Sequence, residues 1–187
     1  HVAPMLSLMR RGIPVSVLPV ERMPMRSFPP KDIKLIIGSF DAWKPANPGY
    51  VDGIIRWVEE GGTLVFLGGT DEFDTIDGNW WSRNGYDSPS EYFLSKLMKK
   101  DIRSKQFVSK KLPGASILNV STARRALKAA NSAPAEVGAF STVQVPSPVT
   151  AWKIDGVNVW MTTDGLPVVW SAKSGKGTIV YAGFSGE

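Results

Sequence analysis

The chain has 187 residues, of which 43% are hydrophobic and 21% are charged. This composition is typical of a globular domain and excludes an intrinsically disordered chain. No apolar run approaches the roughly 20 residues that a membrane-spanning helix needs. Lys and Arg outnumber Asp and Glu by 22 to 17, but they form several short, scattered clusters. The sequence therefore predicts a soluble protein, cytoplasmic or secreted, with no nucleic-acid partner and no membrane partner.

Two residue types that often carry chemistry are nearly absent. The chain contains no cysteine, and its single histidine is His1. These absences exclude disulfide bonds, thiolate metal sites and a cysteine nucleophile, and they leave no internal histidine to act as a general base. We therefore expect no metal and no cofactor.

The N-terminal part is predicted to contain a helix followed by a strand. Apolar residues recur at near-helical spacing from Val2 to Met9, and two arginines and Gly12 follow, as is typical of the end of a helix. The next segment, Ile13 to Val20, is apolar and rich in β-branched residues, which favours a strand.

A strand, a helix and a second strand are predicted next, joined by short connections. Ile33 to Ile37 is apolar on both faces, and Thr63 to Leu67 repeats this pattern, so both are typical of strands buried in a parallel sheet. Between them, Tyr50 to Glu60 has apolar residues at positions i, i+3, i+4 and i+7, which indicates one face of a helix. These residues are Val51, Ile54, Ile55 and Val58. The order predicts a βαβ unit.

Two more helices and two hairpins are predicted in the remainder. Ser88 followed by Pro89 is a typical helix start, and a further helix is predicted near Ala123 to Ala130. The pair Asp155-Gly156 is a strong turn signal, so the strands on its two sides are predicted to form a hairpin. Those strands are Ala151 to Ile154 and Val157 to Met161, and a second hairpin is predicted between Pro167 to Ser171 and Thr178 to Phe184.

Two segments carry a resemblance to a known superfamily. Ile33 to Phe73 reads IKLIIGSFDAWKPANPGYVDGIIRWVEEGGTLVFLGGTDEF, and Gly175 to Phe184 reads GKGTIVYAGF. These segments resemble the class I glutamine amidotransferase-like superfamily. In particular, they are similar to its non-catalytic type, found as the trimerisation domain of microbial β-galactosidases and as accessory domains of other large carbohydrate-active enzymes.

The resemblance implies a fold and an organisation. The fold is α/β, with a flavodoxin-like parallel sheet flanked by helices and antiparallel hairpins toward the C-terminus. Residues 1–187 would form a single domain, a fragment of a larger multidomain protein, with a first strand preceding Val2 and a closing helix following Phe184. Catalytic members carry a cysteine on the sharp turn after a strand, and the matching turn here is Gly68 to Thr70. The resemblance therefore implies a chain without that catalysis.

The loop Gly68 to Ser90 is the candidate ligand site, because ligands of open α/β sheets bind at the carboxyl ends of the strands. Aromatic faces can stack on sugars while carboxylates accept hydrogen bonds from sugar hydroxyls. The same aromatic residues could instead pack on the sheet or on a neighbouring subunit. The candidate residues are Asp71, Glu72, Asp74, Asp77, Trp80, Trp81 and Tyr86.

Three functional hypotheses follow from these observations. The first is a non-catalytic accessory or oligomerisation domain of a larger glycoside hydrolase, whose partners are other domains or subunits of that protein. The second is a saccharide-binding module that uses Gly68 to Ser90. The third is a carboxylate-dependent hydrolase that uses the clustered acids Asp71, Asp74 and Asp77.

Overall fold

The computed structural model describes residues 2–18, 32–40, 45–68, 80–100, 108–112, 116–119, 142–145, 149–163 and 166–184. These residues contain four helices and nine strands, numbered here in chain order. The helices are α1 (Val2–Arg10), α2 (Pro48–Glu60), α3 (Trp80–Arg83) and α4 (Pro89–Met98). The strands are β1 (Leu35–Ser39), β2 (Thr63–Leu67), β3 (Val108–Leu112), β4 (Ser116–Asn119), β5 (Thr142–Val145), β6 (Val149–Lys153), β7 (Asn158–Thr163), β8 (Leu166–Ser174) and β9 (Gly177–Ala182).

Seven strands form a mixed sheet in the order β1-β2-β9-β8-β7-β4-β5. The first three are parallel to one another, and each later pair is antiparallel. Strands β3 and β6 form a separate antiparallel pair. The predicted fold class, α/β with parallel strands flanked by helices and antiparallel strands toward the C-terminus, is confirmed.

The βαβ unit forms because its helix carries clear start and stop signals. The Asn47 side chain accepts a hydrogen bond from the Gly49 N–H at 2.9 Å, and Pro48 occupies the first helical position. Gly61 ends α2 at φ 129°, a conformation that glycine tolerates. Strand β2 then runs parallel to β1, pairing Thr63 with Leu35. The sequence prediction of this unit is confirmed to within two residues at each boundary.

Helix α4 begins with a side-chain cap at Ser88. The Ser88 hydroxyl accepts a hydrogen bond from the Glu91 N–H at 3.1 Å, and the Glu91 carboxylate accepts one from the Asp87 N–H at 2.9 Å. The start predicted from Ser88 and Pro89 is therefore confirmed.

The main core lies between one face of the sheet and helices α2 and α4. Helix α2 packs on β9, and α4 packs on β8. Sheet residues at alternating positions fill this layer, because successive side chains of a strand point to opposite faces. The largest of the fully buried side chains are Trp81, Trp152, Trp170, Tyr181, Phe66 and Phe93. The rings of Trp170 and Tyr181 stack with centroids 5.2 Å apart.

The β8–β9 hairpin fits closely against the C-terminal ends of both helices. The Lys176 N–H donates to the Glu59 carbonyl at 2.8 Å, and the Ser174 hydroxyl donates to the Leu97 carbonyl at 2.8 Å. A Cβ atom on Gly177 would lie 1.9 Å from the Val58 carbonyl oxygen, so only glycine fits there. This hairpin confirms the second of the two predicted hairpins.

The strand predicted for Ile13 to Val20 is wrong for the residues that the structure describes. Helix α1 ends as predicted, with Gly12 at φ 74° and its N–H donating to the Met9 carbonyl. Residues 13–18 then form neither helix nor strand, and Val17 is 78% exposed. Strand composition alone does not form a strand, because a strand also needs a neighbour to pair with.

The hairpin predicted at Asp155-Gly156 is also wrong. Gly156 has φ 77°, but strand β6 pairs with β3, whereas β7 pairs with β8 and β4. Strand β6 packs against β8, and its Val149 and Trp152 are buried in different apolar clusters. Burial on both faces therefore outweighs the local turn signal.

Two segments that matter for the sequence predictions lie outside the described residues. One contains the helix predicted near Ala123 to Ala130, and the other is residues 69–79 of the candidate loop. Across the helices that the structure does describe, none is long and apolar enough to cross a membrane.

Candidate functional site

The three parallel strands end at one edge of the sheet. Ser39 of β1, Leu67 of β2 and Ala182 of β9 stand side by side in register. The chain segments that lead to α2 and α3 leave the sheet at this edge. Ligands of open α/β sheets bind at such carboxyl ends, so this edge is where a site is expected.

Trp80 connects the segments that follow β1 and β2. Its indole N–H donates to the Pro45 carbonyl at 2.6 Å. Its ring meets Tyr92 edge to face at 4.8 Å and Trp81 at 5.5 Å, measured between centroids. Trp80 is half-buried. It therefore serves as an anchor between the two segments.

The other two aromatic members of the predicted site are buried. Trp81 is 1% exposed and Tyr86 is 7% exposed. The Tyr86 ring meets the Tyr92 ring edge to face at 5.3 Å, and its hydroxyl lies 3.4 Å from that of Ser95. Their rings contribute to the core, so a sugar has no access to their faces in this conformation.

The four acidic members of the predicted site, Asp71, Glu72, Asp74 and Asp77, lie outside the described residues. The structure therefore brings together Trp80, Trp81 and Tyr86, and the position of the acids relative to them stays a prediction. In the part of the chain that the structure describes, no three His, Asp or Glu side chains form a group that could hold a metal ion.

The turn after β2 has no space for a side chain at its first residue. Gly68 is buried, and its N–H donates to the Ala182 carbonyl at 2.7 Å. A Cβ atom on Gly68 would lie 2.2 Å from the Tyr181 hydroxyl oxygen. A nucleophilic side chain at this position would therefore require the Tyr181 ring to move.

Strand β6 covers the end of β9. The Thr150 N–H donates to the Gly183 carbonyl at 2.7 Å, and a Cβ atom on Gly183 would lie 1.8 Å from the Thr150 carbonyl oxygen. Thr150 is only 2% exposed. The end of β9 is therefore covered by the backbone of β6.

Tyr92 is a titratable group of this edge with a perturbed pKa. Burial raises the pKa of its phenol above the ordinary value of 10.0, and the negative charge of Asp52 and the neighbouring Tyr86 raise it further. The Lys96 ammonium lies 5.3 Å from the centre of its ring. Its phenol is therefore favoured in the neutral form, and its ring packs against Trp80 and Tyr86.

The sequence predictions missed Tyr92, Pro45 and Tyr181. Tyr92 stands in the first turns of α4 beside the apolar residues Phe93 and Leu94, so helical periodicity could have placed it on a buried face. The contacts of Trp80 with Pro45 and of Gly68 with Tyr181 join residues far apart in the chain. Neither has a local sequence signal.

No protein-family model matches this sequence, and no curated protein matches it. Solved structures do match. The chain is similar to Gan42B, a GH42 β-galactosidase from G. stearothermophilus, at a TM-score of 0.57 and 19% identity, over 97% of this chain and 22% of that one. The chain thus spans about a fifth of the length of that enzyme.

Two shorter proteins match over most of their own length. A cytoplasmic protein from Salmonella typhimurium LT2 matches at a TM-score of 0.57 and 17% identity, over 98% of this chain and 75% of that one. A ThuA-like protein from Bacteroides uniformis matches at a TM-score of 0.54 and 13% identity, over 97% and 73%. What is shared is the fold. Identities this low carry no activity from one protein to another.

Proposed function

We propose that this chain is a non-catalytic accessory domain of a longer carbohydrate-active enzyme of the glycoside hydrolase type. Its role is to contact other domains or subunits of that protein. The observation that carries the proposal is that almost the whole chain matches about a fifth of a β-galactosidase chain. A domain embedded in a larger enzyme in this way is well placed to contribute an interface.

The turn after β2 supports a non-catalytic role. The resemblance implies that active relatives carry their nucleophile on this turn, and here the turn begins with Gly68 pressed against the Tyr181 hydroxyl. The chain also has no cysteine to serve in that role. Both observations favour a domain that contacts other domains or subunits over a domain that catalyses a reaction.

The experiment is a deletion in the longer protein. We expect that removing residues 1–187 lowers the number of subunits in the assembly, obtained by dividing the mass from light scattering by the mass of one subunit, lowers hydrolysis of β-galactosides, or does both. The isolated chain should give no turnover with β-galactosides. An unchanged number of subunits and unchanged hydrolysis after the deletion would contradict the proposal. Turnover by the isolated chain that disappears in Asp71→Asn, Asp74→Asn or Asp77→Asn would instead favour the carboxylate-dependent hydrolase.

A saccharide-binding role is the second candidate, and the half-buried position of Trp80 at this edge favours it. Trp80 lies at the carboxyl edge next to the acidic residues 71–77 in sequence, a combination that suits a sugar. Isothermal titration with mono- and disaccharides would detect binding by the isolated chain. We expect Trp80→Ala to remove that binding, whereas Trp160→Phe, which changes another half-buried tryptophan, should keep it. Equal loss in both variants, or no heat with any sugar, argues against this role.

A further inference from the structure

Asn84 and Gly85 form an asparagine–glycine pair directly after α3, and both residues are exposed. Asn84 is the only one of the six asparagines in the sequence that precedes glycine. The backbone nitrogen of the following residue can attack an asparagine side chain, and glycine has no Cβ to hinder that attack. Among the asparagines of the sequence, Asn84 is therefore the least hindered target for its own backbone.

The reaction of such a pair is deamidation, and water is its only co-reactant. The Gly85 nitrogen loses its proton and forms a bond to the side-chain carbonyl carbon of Asn84. The bond between that carbon and the side-chain nitrogen breaks, so ammonia leaves and a cyclic succinimide remains. Water then opens the ring at one carbonyl to give aspartate, or at the other to give isoaspartate. Both products replace a neutral amide with a carboxylate.

Backbone hydrogen bonds of α3 hold the pair while the side chain is intact. The Asn84 N–H donates to the Trp81 carbonyl at 3.0 Å, and the Gly85 N–H donates to the Ser82 carbonyl at 2.9 Å. Both bonds belong to the last turn of α3, which has only four residues. A helix this short is held by few bonds, so its end opens at little cost in free energy. Opening this turn releases the Gly85 nitrogen while the strands of the sheet stay paired.

The amide group that the reaction removes supports the anchor of the candidate site. The Asn84 Nδ2 donates to the Trp80 carbonyl at 2.7 Å, and the Trp80 indole N–H donates to the Pro45 carbonyl. An ionised carboxylate at position 84 has no hydrogen to donate, so its oxygens would repel the Trp80 carbonyl oxygen. A negative charge is also unfavourable at the C-terminal end of a helix. Deamidation therefore removes one of the bonds that hold Trp80.

The isoaspartate product has a further effect on Tyr86. In isoaspartate the backbone runs through the side chain, so the connection between residues 84 and 85 becomes one bond longer. The Tyr86 N–H donates to the Trp81 carbonyl at 3.1 Å, and the buried Tyr86 ring meets the Tyr92 ring edge to face. A longer connection cannot keep both contacts in their present geometry. Isoaspartate at position 84 therefore disturbs the packing beside Trp80 as well as its hydrogen bond.

We propose that Asn84 is a site of spontaneous deamidation and that the modification loosens the Trp80 anchor at the carboxyl edge of the sheet. The nucleophile is the backbone nitrogen of Gly85, so the step needs no enzyme and no cofactor. Two other asparagines serve as internal controls. Asn119 in β4 and Asn158 in β7 both precede valine, whose branched side chain hinders the attack, and both lie in paired strands. The inference does not depend on the proposed function.

The first test follows the modification itself. The full-length protein is incubated at physiological temperature and slightly alkaline pH, and peptide mapping by mass spectrometry measures aspartate and isoaspartate at each asparagine. We expect conversion at Asn84 to be about tenfold or more faster than at Asn119 and Asn158, because paired strands must open before they react. Asn84→Gln should show no conversion at position 84, since the longer side chain closes a ring less readily. Conversion at Asn84 that occurs in urea but not in the folded protein overturns the proposal, as does a rate no higher than at the two controls.

The second test measures the structural consequence with a matched pair of variants. Asn84→Asp makes the aspartate product directly, and Arg83→Gln changes the net charge by the same amount at the neighbouring exposed position. We expect amide hydrogen exchange at Gly85 and Tyr86 to speed up by about threefold or more in Asn84→Asp and to change little in Arg83→Gln. Equal acceleration in the two variants would assign the effect to charge alone. That result, or no acceleration in Asn84→Asp, overturns the proposed loss of the Trp80 anchor.

Discussion

The β8–β9 turn and the N-terminal elements differ in how completely their side chains and backbone groups are covered. At the turn, Ser174 is 3% exposed and hydrogen-bonded, and Gly177 fits against helix α2 without space for a methyl group. In the N-terminal elements, Val17 is 78% exposed and residues 13–18 pair with no described strand. The two regions have equally clear local sequence signals. The difference shows that tertiary neighbours decide which signals become structure.

The largest expected effect comes from deleting a core aromatic ring. Trp170 is fully buried and stacks on Tyr181, so Trp170→Ala should lower the free energy of unfolding by about 4 kcal/mol. Val17→Ala should change it by less than about 0.5 kcal/mol. Urea unfolding of both variants measures the contrast. Similar losses would mean that the N-terminal elements are as tightly packed as the core.

Two glycines test the same contrast, because one has room for a methyl group and the other has none. Gly177→Ala places a methyl group against the Val58 carbonyl and should cost about 3 kcal/mol of unfolding free energy. Among the described residues, no atom lies within 4 Å of the Cβ position of Gly38 in β1, so Gly38→Ala should be neutral or stabilising by about 0.5 kcal/mol. Thermal unfolding of the two variants is the measurement. If Gly38→Ala lowered the unfolding free energy as much as Gly177→Ala, β1 would be packed as closely as the β8–β9 turn.

A smaller effect is expected from a single hydroxyl. The buried Ser174 hydroxyl donates to the Leu97 carbonyl near the end of α4. Ser174→Ala leaves that carbonyl without this donor and should cost about 1 kcal/mol. Ser16→Ala, at an exposed position, should change stability by less than about 0.5 kcal/mol. Urea unfolding measures both losses. An equal loss of unfolding free energy in the two variants would mean that the Ser174 hydroxyl contributes no more to stability than the exposed Ser16 hydroxyl.

The smallest expected effect on stability at neutral pH comes from replacing Tyr92. Because its pKa is raised in the folded state, mainly by burial, folding favours the protonated phenol. Its contribution to stability is complete below the ordinary pKa of 10.0 and is lost as the pH rises through the higher folded value. Tyr92→Phe should flatten this alkaline loss, measured by unfolding at several pH values above 9. A profile identical to that of the unchanged chain would show that other tyrosines or lysines dominate it.

Local signals predicted the elements whose boundaries are set by neighbouring residues. Helix α2 was predictable from its apolar spacing and Gly61, and α4 from Ser88 and Pro89. The β8–β9 hairpin was predictable because its two strands pair directly across a short turn. In each of these elements, the residues that define the structure lie within a few positions of one another.

Elements that depend on distant partners were not predictable in the same way. Asp155-Gly156 has the sequence of a hairpin turn, but β6 pairs with β3 and packs against β8 instead of pairing with β7. At the candidate site, tryptophan and tyrosine suit both a binding surface and a core. From the sequence alone, Trp81 and Tyr86 could therefore belong either to a binding surface or to the core. In the structure both side chains are buried. Trp80 differs from them in being half-buried, with its indole N–H bonded to the Pro45 carbonyl.

The contact between Gly68 and Tyr181 also restricts how this protein can evolve. A cysteine introduced at position 68 would meet the Tyr181 hydroxyl, so that single substitution would disrupt the core before any chemistry could be selected. Shrinking Tyr181 first would leave a cavity beside Trp170 and Phe66, which is also destabilising. Either order of substitution passes through a less stable protein. A nucleophile at position 68 therefore requires a rearrangement around Tyr181 that costs stability.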